Sequence, residues 1–154
     1  KDFEKKTKFD GIRNVGFMYE NEQEQFLFNR LVSLGFKTEQ QQSFYKNISD
    51  KKSSRTDIIL KKDNEIFVIE LKPYPAKYDD LEQLSRYLNN QNLQERYRGM
   101  VVHGILVSAH LHKDRIEETR LNYPYLNLYS FSYNNGGINL KCEYGKNFSF
   151  FSEI

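Results

Sequence analysis

"IFVIELKPY" (residues 66–74) decides how this chain folds. Ile66, Phe67, Val68 and Ile69 are β-branched or aromatic with no polar alternation, the pattern of a strand covered on both faces. Glu70 and Lys72 interrupt the run, and Pro73 and Pro75 end it, since proline cannot donate to a ladder. Side chains alternate along a strand, so the acid and the amine share one face. Upstream, "TDIIL" (56–60) forms a second short apolar strand, joined to the first through Lys61-Lys62-Asp63-Asn64. With Asp63-Asn64 as a two-residue turn, both types that tolerate positive φ, Lys62 faces Glu65 and Leu60 faces Phe67. Asp57 then faces Glu70, about 4.5–5.5 Å away at Cβ.

Two facing carboxylates at a buried strand end repel each other, and the protein must share a proton between them or bind a cation. Oxygen ligands of this kind suit Mg²⁺ or Mn²⁺. Lys72 beside such an ion would position or activate a water, or steady charge developing on a phosphate. The plainer reading is a Glu70–Lys72 salt bridge at a strand end, with Asp57 capping a turn.

The surrounding pattern places these residues in an α/β domain. Residues 1–18 are charged and aperiodic, a lead-in segment, and residues 19–154 form one domain with no repeat or linker. From Glu20 to Leu34 the spacing is helical, with Leu27, Leu31 and Leu34 on one stripe and Gly35 as a stop. Glu20 and Glu24 continue that stripe, which puts an acid toward the core. A polar strand is expected over Lys37–Tyr45, then a basic loop. Asp79 is expected to cap a helix reaching Asn90, with Glu82 at the capping-box position. In that helix Leu81, Leu84 and Leu88 form the packed stripe, with Gln83 and Tyr87, four apart, along its edge. "MVVHGILVSAH" (100–110) reads as a second buried strand and "HKDRIEETRLNY" (112–123) as an amphipathic helix. "LNLYSFSY" and "INLKCEYG" read as a hairpin around Asn134–Gly137. Together these elements predict a mixed β-sheet flanked by helices.

Composition narrows the function classes. With 38% hydrophobic and 29% charged residues the chain has a globular mixture, and its apolar runs are too short to span a bilayer. One cysteine, Cys142, cannot form an internal disulfide. With no signal peptide at the start, a reducing, cytoplasmic setting is expected. The chain starts at Lys1, as a fragment of a larger protein would. A net charge of +2 does not itself imply a polyanion partner. However, Lys51, Lys52, Arg55, Lys61 and Lys62 bracket Asp57 with positive charge, and such a run also suits a solvated loop. Tyr74 and Tyr78, just after the key strand, are the best-placed aromatics to stack an unpaired base. His110 and His112 would share a strand face, but no acid or thiol accompanies them in sequence.

These residues resemble the PD-(D/E)XK nuclease superfamily. Asp57 followed, after twelve residues, by Glu70-Leu71-Lys72 matches its core motif, with Thr56 where the proline would stand. Gln83-Leu-Ser-Arg-Tyr87 resembles the Q-x-x-x-Y motif of the RecB-type branch. Glu24 with Leu27, Leu31 and Gly35-Phe36 resembles that branch's leading helix. Gly104-Ile105-Leu106-Val107 completes an order similar to the catalytic domain of NucS/EndoMS-type endonucleases. The resemblance implies a restriction-endonuclease-like core and Mg²⁺- or Mn²⁺-dependent hydrolysis of phosphodiester bonds in DNA. Asp57, Glu70, the Leu71 carbonyl and Glu24 would hold the ion, Lys72 would handle the water, and Gln83 and Tyr87 would orient substrate or ligands. Lys51, Lys52, Arg55, Tyr74 and Tyr78 would contact nucleic acid. The pathway would be DNA repair or phage defence, in a homodimer or as part of a multidomain protein. The alternatives are a ribonuclease, or a non-catalytic nucleic-acid-binding or interaction module that keeps the nuclease fold.

Overall fold

Residues 20–33, 37–40, 43–45, 53–55, 58–134 and 137–153 are described by the computed structural model. In chain order they form α1 (Glu20–Ser33), β1 (Lys37–Gln40), β2 (Ser43–Tyr45), β3 (Ser53–Arg55), β4 (Ile58–Lys62) and β5 (Glu65–Lys72). There follow α2 (Tyr78–Leu88), α3 (Gln91–Arg96), β6 (Val101–Ser108), α4 (Lys113–Asn122), β7 (Leu126–Asn134), β8 (Gly137–Tyr144) and a 3₁₀ turn at Ser149–Glu153. Six strands make one sheet in the order β1-β4-β5-β6-β7-β8, and β2 and β3 make a separate ribbon. β5, β6 and β7 run parallel, while the outer pairs are antiparallel. This is the α/β class expected, a mixed sheet flanked by helices.

The β4–β5 hairpin has the register read from the sequence. Lys62 pairs with Glu65, Leu60 with Phe67 and Ile58 with Ile69. Among the described non-glycine residues only Asp63, with φ +54°, takes the left-handed turn conformation.

β5 is apolar without alternation because both of its faces are covered. Phe67, Ile69 and Leu71 join Ile58, Leu60, Ile105, Val107 and Tyr129 beneath Leu27 and Leu31 of α1, with Phe150 and Phe151 closing that side. Ile66 and Val68 join Ile59, Leu106 and Leu128 beneath Leu81 and Leu84 of α2 and Leu93 of α3. Glu70 and Lys72 continue this second face, so they point toward α2. Gly104 lets α2 come close. A Cβ there would stand 2.5 Å from Leu88 Cδ1 and 3.1 Å from Leu126 Cδ2.

Four expectations change. The strand expected over Lys37–Tyr45 is two strands with partners in different sheets, β1 on β4 and β2 on β3; a polar stretch without strict alternation does not mark such a break. Part of the expected basic loop, Ser53–Arg55, is a strand. α2 starts after Lys77 rather than at Asp79, because the Asp80 carboxylate returns to the Lys77 N–H at 2.8 Å. Asp79 and Glu82 are exposed instead, Glu82 pairing with Arg86 at 3.5 Å. α2 also stops short of Asn90, whose backbone is extended and whose Oδ1 accepts from Asn92 N and Leu93 N, starting α3. The lead-in segment 1–18 lies outside the described residues.

No helix among the described residues is long and apolar enough to cross a membrane. Cys142 is a free thiol.

Candidate active site

Glu70 and Lys72 stand at the carboxyl end of β5, beside the parallel strand β6, where Lys72 pairs with Ser108. The carboxyl ends of parallel strands are where open α/β sheets commonly bind ligands. The strand must end there: Pro73 and Pro75 follow, and the Ala76 N–H is taken by the His110 carbonyl at 3.4 Å.

Both side chains are buried, Glu70 with 2% and Lys72 with 8% of their surface exposed. The Lys72 ammonium lies 3.6 Å from Glu70 Oε2 and 4.0 Å from Asp80 Oδ1. Tyr74 leans over the group, its hydroxyl 3.5 Å from Asp80 Oδ1 and its ring centroid 6.0 Å from Lys72 Nζ. Among the described residues, two buried carboxylates thus share one ammonium. Burying charge is costly unless it is paired, and here it is paired. Glu70 and Lys72 share one face, as strand alternation leads one to expect, and their 3.6 Å contact is the salt bridge of the plainer reading.

Gln83 and Tyr87 also come together. Gln83 Nε2 donates to the Tyr87 hydroxyl at 3.1 Å. Gln83 is half-buried at the edge of α2, as read from the pattern. Tyr87 lies deeper than expected, 4% exposed, because its ring joins the core between sheet and α2.

The two tyrosines proposed to stack a base are both engaged by cations. The Tyr74 ring has Lys77 Nζ 5.0 Å from its centroid. Tyr78 is 47% exposed, and the Arg115 guanidinium sits 3.8 Å from its ring centroid, held there by Nε donating to the Ala76 carbonyl at 3.1 Å.

Asp57, Lys51 and Lys52 lie outside the described residues, as do the side chains of Glu24 and Arg55. α1, which carries Glu24, packs Leu27 and Leu31 on the sheet face opposite Glu70 and Lys72. Leu71 sends its side chain to that opposite face too, leaving only its backbone carbonyl as a candidate ligand. Among the described residues no group of three or more His, Cys, Asp or Glu side chains is gathered to hold a metal ion. His110 and His112 do meet, with perpendicular rings 4.9 Å apart, and both are exposed.

Asp80 was not among the residues singled out from sequence. Its signal was available in principle: an acid three residues before Gln83 on the same helix, and so one turn nearer the strand end.

No family model and no curated protein matches the chain. Among solved structures it is similar to a repair endonuclease from Pyrococcus abyssi, with 23% sequence identity and a TM-score of 0.48. The match covers 78% of this chain and 48% of that one, so the chain spans about half the length of that protein.

Proposed function

We propose that this chain is a metal-dependent nuclease that hydrolyses phosphodiester bonds of DNA. The observation that carries the reading is the convergence of two buried carboxylates, Glu70 and Asp80, on Lys72 at the carboxyl end of β5, which goes beyond a plain Glu70–Lys72 salt bridge. The hairpin register supports it. Ile58 pairs with Ile69, Asp57 directly precedes the one and Glu70 directly follows the other. A ladder continued by one pair would set the two acids opposite each other.

The donor chemistry fits Mg²⁺ or Mn²⁺: the Glu70 carboxylate, 2% exposed, is a hard oxygen donor of the kind such ions take. Glu70, Asp57 and the Leu71 carbonyl would hold the ion, which when bound would neutralise phosphate charge and acidify a water. Lys72 orients the attacking water and offsets charge developing on the phosphate. The Gln83–Tyr87 pair orients the ligands or the substrate from α2. Lys51, Lys52 and Arg55 draw in the backbone of the strand, and Tyr74 and Tyr78 border its path. A nuclease of this kind would work in the cytoplasm, in DNA repair or phage defence.

The test is incubation with plasmid, single-stranded DNA and RNA, each with Mg²⁺, Mn²⁺ or EDTA. Cleavage of DNA with metal, absent in EDTA and absent in Asp57→Ala, is the expected result. Binding without cleavage would replace the reading with a non-catalytic module, and cleavage of RNA alone with a ribonuclease.

A further inference from the structure

Asp80 is buried, 5% exposed, at the third position of α2. Its two oxygens have separate duties. Oδ2 accepts the Lys77 N–H at 2.8 Å and closes the first helical turn. Oδ1 takes the Tyr74 hydroxyl at 3.5 Å and stands 4.0 Å from Lys72 Nζ. Acids in a first helical turn stabilise the helix from an exposed position, and Asp79, next to it, does so. Burying Asp80 against a lysine adds a desolvation cost that capping does not require.

Lysine carries its charge on a flexible four-carbon stem, so anchors decide where the ammonium rests. Glu70, on the same strand, draws it along the sheet. Asp80, on a different element and itself fixed by the helix backbone, draws it toward α2. We propose that Asp80 is a positioning residue that holds the Lys72 ammonium between the sheet and α2, in the place its reaction needs. The catalytic half of this claim rests on the nuclease reading; the anchoring half does not.

Asp80→Asn separates capping from anchoring. The amide oxygen can still accept the Lys77 N–H, but the charge facing Lys72 is gone. Two measurements on the full chain decide the matter. The first needs no activity: the rate of reductive methylation of Lys72 in the folded protein, read by mass spectrometry of its peptide. A several-fold faster rate in Asp80→Asn is expected, and an unchanged rate overturns the proposal. The second is steady-state DNA cleavage with Mn²⁺. A kcat lower by about tenfold, with KM unchanged and partial recovery in Asp80→Glu, is expected. Faster methylation with an unchanged kcat overturns the catalytic half. If the wild type cleaves no nucleic acid, the nuclease reading and the catalytic half both fail, while the methylation result still decides the anchor. Should Asp80→Asn not fold, Asp80→Ser, polar but uncharged, carries the same readings.

Discussion

The Lys72 ammonium is held between Glu70 Oε2, at 3.6 Å on its own strand, and Asp80 Oδ1, at 4.0 Å on the following helix. One cation therefore joins the end of β5 to the start of α2, at the edge where β5 and β6 run parallel.

Replacing Lys72 by Met keeps the side-chain length and leaves two carboxylates buried without their ammonium. Contacts of 3.6 and 4.0 Å are long, so a loss of about 2 kcal/mol is expected, below the usual cost of breaking a buried pair. The variant should keep a native circular-dichroism spectrum and lose all DNA cleavage. Mn²⁺ should also raise its melting temperature more than that of the wild type, because a competing cation has gone. Calorimetry with and without Mn²⁺ checks this, and an active, folded Lys72→Met protein would count against the assignment.

Gly104→Ala should loosen the seat of α2. The added methyl would lie 2.5 Å from Leu88 Cδ1 and 3.1 Å from Leu126 Cδ2. Both are side-chain ends that can yield, so a destabilisation of about 1–2 kcal/mol is expected in urea unfolding. Asp80, Gln83 and Tyr87 all ride on α2, so the cleavage rate should fall by more than this stability loss explains.

Tyr129 sets an alkaline limit on stability. Its hydroxyl donates to the Lys146 carbonyl at 2.7 Å and accepts the Phe148 N–H at 2.8 Å. Burial pushes its ionisation from the usual 10.0 up to about 12, against the opposing pull of the Phe148 N–H. Between those values the unfolded chain releases the proton and the folded one keeps it, so folding stability should drop as pH rises from about 10 to 12. Below pH 10 the contribution is complete. Urea midpoints measured across this window should decline, and Tyr129→Phe should flatten that part of the decline. The same substitution should cost about 1–2 kcal/mol at neutral pH, since two backbone groups lose their partner.

Arg115 offers a test of the proposed path of the strand. Its guanidinium, 3.8 Å from the Tyr78 ring centroid, is presented beside the carboxyl end of β5. Arg115→Ala should weaken DNA binding in EDTA at low salt and lower the salt slope by about one counterion. Fluorescence anisotropy at several ionic strengths measures it, and an unchanged slope would move the strand elsewhere.

Much of this fold was legible because the patterns behind it are local. The apolar run of β5, the Asp63-Asn64 turn and the stripe of α2 each follow from side-chain periodicity over a few residues. The hairpin register followed as well, because a two-residue turn leaves only one pairing for Lys62 and Glu65. What stayed hidden depended on distant partners. The stretch Lys37–Tyr45 divides between two sheets because β4 and β3 claim its halves. α2 begins at Tyr78, after Lys77, because the buried carboxylate at its third position, Asp80, accepts the Lys77 N–H.

For the candidate site, the chain's own order determined that Glu70 and Lys72 share a face at a strand end, since alternation leaves no other choice. Only the tertiary structure decided that this face lies under α2, that Tyr87 sinks into the core, and that Asp80 reaches Lys72. Those relations join residues on separate elements, and they exist only once sheet and helix bury their apolar surfaces against each other.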